Sequence, residues 1–251
     1  ARQWSSFNDY SGMQPTRFNT VWDIYYGEIL VEVNSMIADA QEDGYNHYVG
    51  IGQIQKAAAL LDMTDWWGSI PYTTAALGTE EINPTFDTQE SIYTEVFNLL
   101  ASAPALLNGS DGGFAVGNDD VIYGGDTGKW IKAASAIKAR AHLHLGQYAE
   151  ALAAAKASFS AQDDSMTYTF GTTQQAGWWR FNDGRTGDIE FHPFLRAMMT
   201  DLNDTDRLGV WDQTFITSHP YMLPNYKQAY ISYREIQFII AECLSRTNGS
   251  A

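Results

Sequence analysis

Two groups of side chains in this sequence have the types that carbohydrate recognition needs. One is Trp4, Phe7, Asn8 and Tyr10; the other is Trp178-Trp179-Arg180-Phe181-Asn182-Asp183, set between Gly177 and Gly184. The apolar face of a pyranose ring stacks on Trp and Tyr, while neighbouring amide and charged groups bond its hydroxyls. Both groups read as loops, and adjacent tryptophans in a glycine-flanked loop seldom both bury. Trp4, Asn8, Tyr10, Trp178, Trp179, Arg180, Phe181 and Asn182 are therefore the candidate ligand-binding residues. The competing reading is that these rings plug the small core of their own lobe. Trp66-Trp67 reads as structural, one ring packed inward and the other covering a helix end, whereas Trp211, Tyr221 and Tyr226 either line a groove or fill space.

Other chemistries fit the residues poorly. Gly124-Gly125-Asp126-Thr127-Gly128-Lys129 has the flavour of a phosphate loop, but such a loop needs Gly where Tyr123 stands and Ser or Thr where Trp130 stands. Asp126 and Thr127 instead suit a helix cap. A glycosidase requires two carboxyl groups facing each other about 5–9.5 Å apart. The acids here, among them Asp163, Asp164, Asp183, Asp188, Glu190, Asp204 and Asp206, sit in no catalytic motif. Asp201-Leu202-Asn203-Asp204-Thr205-Asp206 resembles the start of a calcium loop, yet Asp206 and Asp212 occupy the positions of its Gly and Glu. His142 and His144 lie two apart on a helical pattern, so they point about 200° apart and cannot chelate one ion together. Cys243 falls on an apolar stripe, where a buried inert thiol is expected. No catalytic residue, metal or cofactor follows from the sequence.

Charge narrows the partners. With 15 Lys+Arg against 30 Asp+Glu the formal net charge is −15, and no basic cluster is dense enough to neutralise a phosphate backbone. Nucleic acid is excluded as a partner on that ground, and anionic lipid headgroups would repel the same surface. No apolar run approaches the ~20 residues that span a bilayer. A single cysteine allows no intrachain disulfide. The chain opens at Ala1 with neither an initiator Met nor a signal pattern, which implies that the natural N-terminus lies upstream.

The elements that must position the aromatic groups are mostly helical. Thr20-Val21-Trp22-Asp23 reads as a capping box, followed by Trp22, Tyr25, Tyr26, Ile29, Leu30, Val33, Met36 and Ile37 at helical spacing. A second helix is predicted over about 48–67, where Gly50, Gly52 and Ala57 to Ala59 let neighbours approach closely. A third starts at the cap Asp87-Thr88-Gln89-Glu90 and stops before Pro104, ahead of a Gly/Asn/Asp loop over 108–120. After Thr127, Trp130, Ala133, Ala134, Ile137, Ala141 and Leu145 form a stripe; Gly146 turns the chain, and Tyr148, Leu152, Ala155 and Phe159 supply an antiparallel mate. This hairpin resembles one tetratricopeptide unit. Periodicity fades over about 160–228 and returns with Tyr233, Ile236, Ile240, Cys243 and Leu244, a final helix for which the sequence offers no partner.

Taken in order, these segments resemble the SusD/RagB family, the surface nutrient-binding lipoproteins of Bacteroidetes. Trp22, Tyr26 and Asn34 carry the resemblance first, then Ala57-Ala58-Ala59 leading to Gly68-Ser69-Ile70-Pro71-Tyr72, and Asp87-Thr88-Gln89-Glu90-Ser91-Ile92-Tyr93. Tyr123-Gly124-Gly125-Asp126 with Lys129-Trp130, Ala141 and Leu145 follows, and Tyr233-Arg234-Glu235-Ile236-Gln237-Phe238-Ile239-Ile240-Ala241-Glu242 closes it. The resemblance implies a mainly α fold, tetratricopeptide-like helical hairpins supporting an irregular loop-rich lobe, with no enzymatic activity. Residues 1–251 then form one SusD-like domain, a fragment about half the usual length, with a scaffold over 20–160, an irregular lobe over 161–228 and a further repeat helix over 229–246. It also implies an oligosaccharide ligand and a SusC-like TonB-dependent transporter as partner. The expected setting is the outer-membrane surface, through an N-terminal lipid anchor absent from this chain. Peptide capture of the RagB kind, an intracellular tetratricopeptide scaffold and a helical glycoside hydrolase are the alternatives. The shared motifs are structural, so they place no ligand site on named residues.

Overall fold

The computed structural model of the protein describes residues 15–75, 83–171, 173–184, 193–212 and 223–247. The chain divides into two compact units, Phe18–Thr167 with Ala229–Ala251, and Ala1–Arg17 with Tyr168–Gln228. The fold is mainly α, as the sequence pattern predicts.

A 3-10 turn over Pro15–Phe18 precedes α1 (Asn19–Ile24), the first helix of the Phe18–Thr167 unit, which passes through a π-helical turn (Tyr25–Ile29) into α2 (Leu30–Asp43). The capping box expected at Thr20 does not form, and Phe18 precedes the helix with no side-chain cap. The chain enters α1 already coiled, so there is no extended residue from which a capping hydroxyl could act. Rings then gather: Trp22 lies 4.7 Å from Tyr26 and 5.0 Å from Trp67, and Tyr25 lies 5.7 Å from Trp66. Trp67 is half-buried in this group while Trp66 remains exposed, the division of labour expected at that helix end.

α3 (Asn46–Trp67) is the central helix, packed on α2 on one side and α4 (Gln89–Asn108) on the other. Its small residues permit this. A Cβ on Gly50 would meet Leu107 Cγ at 2.8 Å, and one on Gly52 would meet Ile37 Cγ1 at 2.6 Å. Beyond α3, Ile70–Pro71 (β1) pairs antiparallel with Phe86–Asp87 (β2), and Asp87 Oδ2 accepts from the backbone N–H groups of Tyr72 and Thr73. Thr88 caps α4 by accepting from the Ser91 N–H at 3.2 Å. The helix does not stop before Pro104, as expected, but runs four residues past it. Ala103 and Leu107 are buried against the core there, and that burial outweighs the hydrogen bond Pro104 cannot donate.

The Asp126 side chain caps α5 (Thr127–His144) through the Lys129 N–H at 3.0 Å, as the sequence predicts. The inner face of α5, Trp130, Ala133, Ala134, Ile137 and Ala141, is fully buried. Gly146 turns the chain with φ 69° into α6 (Tyr148–Lys156), completing the helical hairpin.

The last helix, α10 (Tyr233–Thr247), has a partner after all: it packs on α6 and α5, burying Ile236, Ile239 and Cys243. Arg140 of α5 locks it in place, with Nε donating to Glu235 Oε1 at 2.7 Å and Nη2 to Glu235 Oε2 at 2.8 Å. A bidentate pair of this kind joins residues far apart in sequence, which periodicity cannot reveal.

Strands Met166–Thr169 (β3) and Lys227–Ile231 (β4) form a two-stranded sheet, and the boundary between the units runs through both. The stretch expected to be irregular contains three short helices, α7 (Gly177–Gly184), α8 (Pro193–Asp201) and α9 (Thr205–Asp212). Asp204, weighed above as a calcium ligand, instead serves the start of α9, accepting from the Arg207 N–H and pairing with its guanidinium.

A candidate ligand-binding hollow

In the second unit the segment leaving β3 is tied to the segment entering β4. The Phe170 N–H donates to the Tyr226 carbonyl at 3.2 Å, and the Ala176 N–H donates to the Pro224 carbonyl at 2.9 Å. Between them the Gly171 N–H donates to the Gln174 carbonyl at 3.0 Å, and the Tyr168 hydroxyl donates to Gln174 Oε1 at 2.5 Å. Ala176 is buried and starts α7, its carbonyl accepting from the Arg180 N–H at 3.0 Å. Loop, strand and helix thereby enclose a hollow of about 440 Å³, lined by Phe170, Ala176, Gly177, Trp178, Phe181, Tyr226 and Gln228. Ligand sites commonly fall between about 300 and 1,000 Å³.

The two adjacent tryptophans lie on a helix and not, as expected, on a loop, which decides their fates. On α7 Trp178 and Phe181 are three residues apart, so their side chains share a face and both line the hollow, 57% and 37% exposed. Trp179 and Arg180 lie on other faces and do not line it; Trp179 is half-buried and Arg180 exposed. Asn182 belongs to α7, and its side chain lies outside the described residues, as do Trp4, Phe7, Asn8 and Tyr10. Phe170, Ala176 and Gln228 were not singled out from sequence. The alternation of residue types beside the β3 and β4 runs is the signal that could have drawn attention to them.

Every lining side chain is neutral. Stacking on rings, with hydrogen bonding from the Gln228 amide and the tyrosine hydroxyl, is the chemistry the hollow can perform.

The polar cluster of the helical unit is differently organised. Asp62 accepts from the hydroxyls of Tyr25 and Tyr230, each at 3.0 Å, and Asp65 accepts from Tyr93 and lies 2.8 Å from His144 Nδ1. Burial pushes the Asp62 carboxyl up, with the two tyrosine bonds pulling against it, and burial above all raises the Tyr230 hydroxyl well beyond its ordinary value. These groups satisfy one another and hold α3 to the π-helical turn, α4, α5 and β4. Among the described residues no group of three or more His, Cys, Asp or Glu is placed to hold a metal ion. No described helix is long and apolar enough to cross a membrane.

The model of the SusD-like family, described as "Starch-binding associating with outer membrane", matches residues 2–219. The chain belongs to the SusD-like family. Among solved structures, this SusD-like chain is similar to a SusD/RagB family protein from Bacteroides thetaiotaomicron, at 23% identity and a TM-score of 0.78, over 93% of this chain and 57% of that one. A SusD homolog from Bacteroides vulgatus matches at 18% identity and 0.75, over 94% and 55%. A chitin-binding SusD homolog from Flavobacterium johnsoniae matches at 18% and 0.75, over 93% and 55%. These likenesses show a shared fold. The chain spans little more than half the length of each of these structures. No curated protein matches the sequence.

Proposed function

We propose that this SusD-like protein captures an oligosaccharide at the outer-membrane surface and delivers it, chemically unchanged, to a SusC-like TonB-dependent transporter. The observation that carries the reading is the neutral hollow in which Trp178 and Phe181, one helical turn apart, leave their rings open to solvent. Such rings stack on the apolar face of a sugar, and a neutral lining suits an uncharged glycan. The family description names starch, and one structural relative binds chitin, so both glucans and N-acetylated glycans belong in the trial set. In this reading a lipid anchor upstream of the chain tethers the protein. Trp4, Asn8, Tyr10 and Asn182 are second-rank candidates beside Trp178 and Phe181, whereas Trp179 and Arg180, on other faces of α7, are not assigned to the hollow.

Calorimetry and affinity electrophoresis of the full-length protein against a polysaccharide panel test the proposal. Trp178→Ala is expected to weaken the best ligand about tenfold, the loss of about 1–2 kcal/mol of ring contact, while Trp66→Ala, at an exposed ring outside the hollow, leaves affinity unchanged. Absence of binding to every glycan, or equal affinity of Trp178→Ala and the parent, would overturn it. Binding of an extended peptide in place of any sugar would favour RagB-like import.

A further inference from the structure

A second hollow, of about 490 Å³, lies on the helical unit between α2 and the 109–120 loop. One wall is aromatic. Phe114 lies with its ring centroid 5.1 Å from that of Tyr45 and 5.7 Å from that of Tyr48, yet 53% of its surface faces water. The loop that presents it is fastened to the α2–α3 turn. Asn46 Nδ2 donates to the Ser110 carbonyl at 3.0 Å, His47 Nε2 lies 3.1 Å from the Gly109 carbonyl oxygen, and the Tyr48 hydroxyl donates to Asp119 Oδ2 at 2.6 Å. Gly112, with φ 80°, approaches so closely that a Cβ there would sit 1.9 Å from the Gly44 carbonyl oxygen. An exposed phenyl ring is thus held in one place before anything binds.

The facing wall is a stripe of α2 on which Glu32, Ser35, Asp39 and Asp43 recur at helical spacing, and Asp119 adds a fourth carboxylate from the loop. The hydrogen bond from Tyr48, helped by the Gly117 N–H, holds the Asp119 carboxyl below the usual carboxylate range, so it is ionised at neutral pH. Among the described residues no lysine or arginine pairs with any of the four, and no amide or basic side chain lines the hollow. Apart from hydroxyls, every polar side-chain atom there is an acceptor.

A complementary group must therefore supply donors and a surface that stacks. A sugar hydroxyl both donates and accepts, and four like charges add little for it. An ammonium donates but is compact and strongly hydrated. A guanidinium has five N–H donors, no acceptor and a flat face that lies well on aromatic rings. We propose that this hollow docks an arginine side chain of a partner polypeptide, its guanidinium stacked on Phe114 and bonded to the surrounding carboxylates. The net charge of −15 steers a basic segment toward it, and the site is independent of the glycan hollow.

The full chain is titrated with acetyl-triarginine amide, the trilysine analogue and the neutral tricitrulline analogue. Triarginine is expected to bind at least about threefold more tightly than trilysine and tricitrulline not to bind, with affinity falling steeply as salt rises from about 50 to 500 mM. Phe114→Ala, and separately the double variant Asp39→Asn with Asp43→Asn, each weaken triarginine about fivefold or more, while Trp178→Ala leaves it unchanged. All these positions are exposed, so circular dichroism is expected to show unaltered folding. Undiminished triarginine binding by the double variant, or tricitrulline binding as well as triarginine, overturns the proposal. So does a neutral oligosaccharide whose binding is lost in Phe114→Ala, which would make the hollow a sugar subsite.

Discussion

Asp120 organises the most heavily punctuated part of the chain. Its Oδ1 accepts from the N–H groups of Ile122 and Tyr123 at 3.0 and 3.2 Å; its Oδ2 accepts from the Gly125 N–H at 3.0 Å and from the Trp130 indole at 2.7 Å. Trp130 is fully buried, so Asp120→Ala would strand an indole N–H inside the core. Loss of such an acceptor costs about 2 kcal/mol, and urea unfolding of Asp120→Ala is expected to register that with an unchanged m-value. A loss below about 0.5 kcal/mol would mean that the loop holds itself. Gly125 is required by its own surroundings: at φ 87°, any Cβ there would fall 2.2 Å from the Val116 carbonyl oxygen. The Tyr123-Gly124-Gly125-Asp126 motif is therefore a structural one in this chain, as its failure to match a phosphate loop suggested.

At the scale of elements, Pro104 offers a clean test because it sits half-buried inside α4, where it cannot donate to the Leu100 carbonyl. Pro104→Ala is expected to stabilise the protein by about 1 kcal/mol, read as a rise in Tm of roughly 3 °C in scanning calorimetry. A fall would show that the ring packs better than a methyl group. The same helix illustrates which features of the fold were legible. α3, α4 and α5 announce themselves because each is long enough for several turns of apolar spacing, and two carry side-chain caps, Thr88 and Asp126. α7, α8 and α9 were unreadable because eight or nine residues give barely two turns and, unlike the equally short α6, none follows a long helix through a glycine turn that marks it as an antiparallel mate. At the hollow, Trp178 and Phe181 could be picked out by residue type, but Phe170 and Gln228 reach it from opposite ends of the lobe's sequence. Arg140 escaped notice for the same reason, its carboxylate partner lying 95 residues away.

For the molecule as a whole, acidity sets the response to pH. Asp164 Oδ2 receives Lys132 Nζ at 2.9 Å, the Ser160 N–H at 2.8 Å and the Ala161 N–H at 3.1 Å. Burial works to raise this carboxyl, yet those bonds prevail and carry it down to about 2. Because the folded value lies below the unfolded one, the stabilisation, on the order of 2 kcal/mol, is complete above about pH 4 and lost as pH falls through about 2. The stability difference between the parent and Asp164→Asn, followed by urea unfolding, is expected to be constant from neutral pH to about pH 4 and to shrink below it. A difference that persisted to pH 2 would assign the effect to shape and not to ionisation.

The alanine faces carry one more implication. Where α5 meets its neighbours, Ala133, Ala134, Ala136, Ala139 and Ala141 are buried with almost nothing exposed, so the side chains there are already near the smallest available. Drift at these positions can only add volume, and a close-packed interior resists that. Change is thereby channelled into short segments with exposed side chains such as α7, where exchanging one ring for another leaves these alanine contacts untouched.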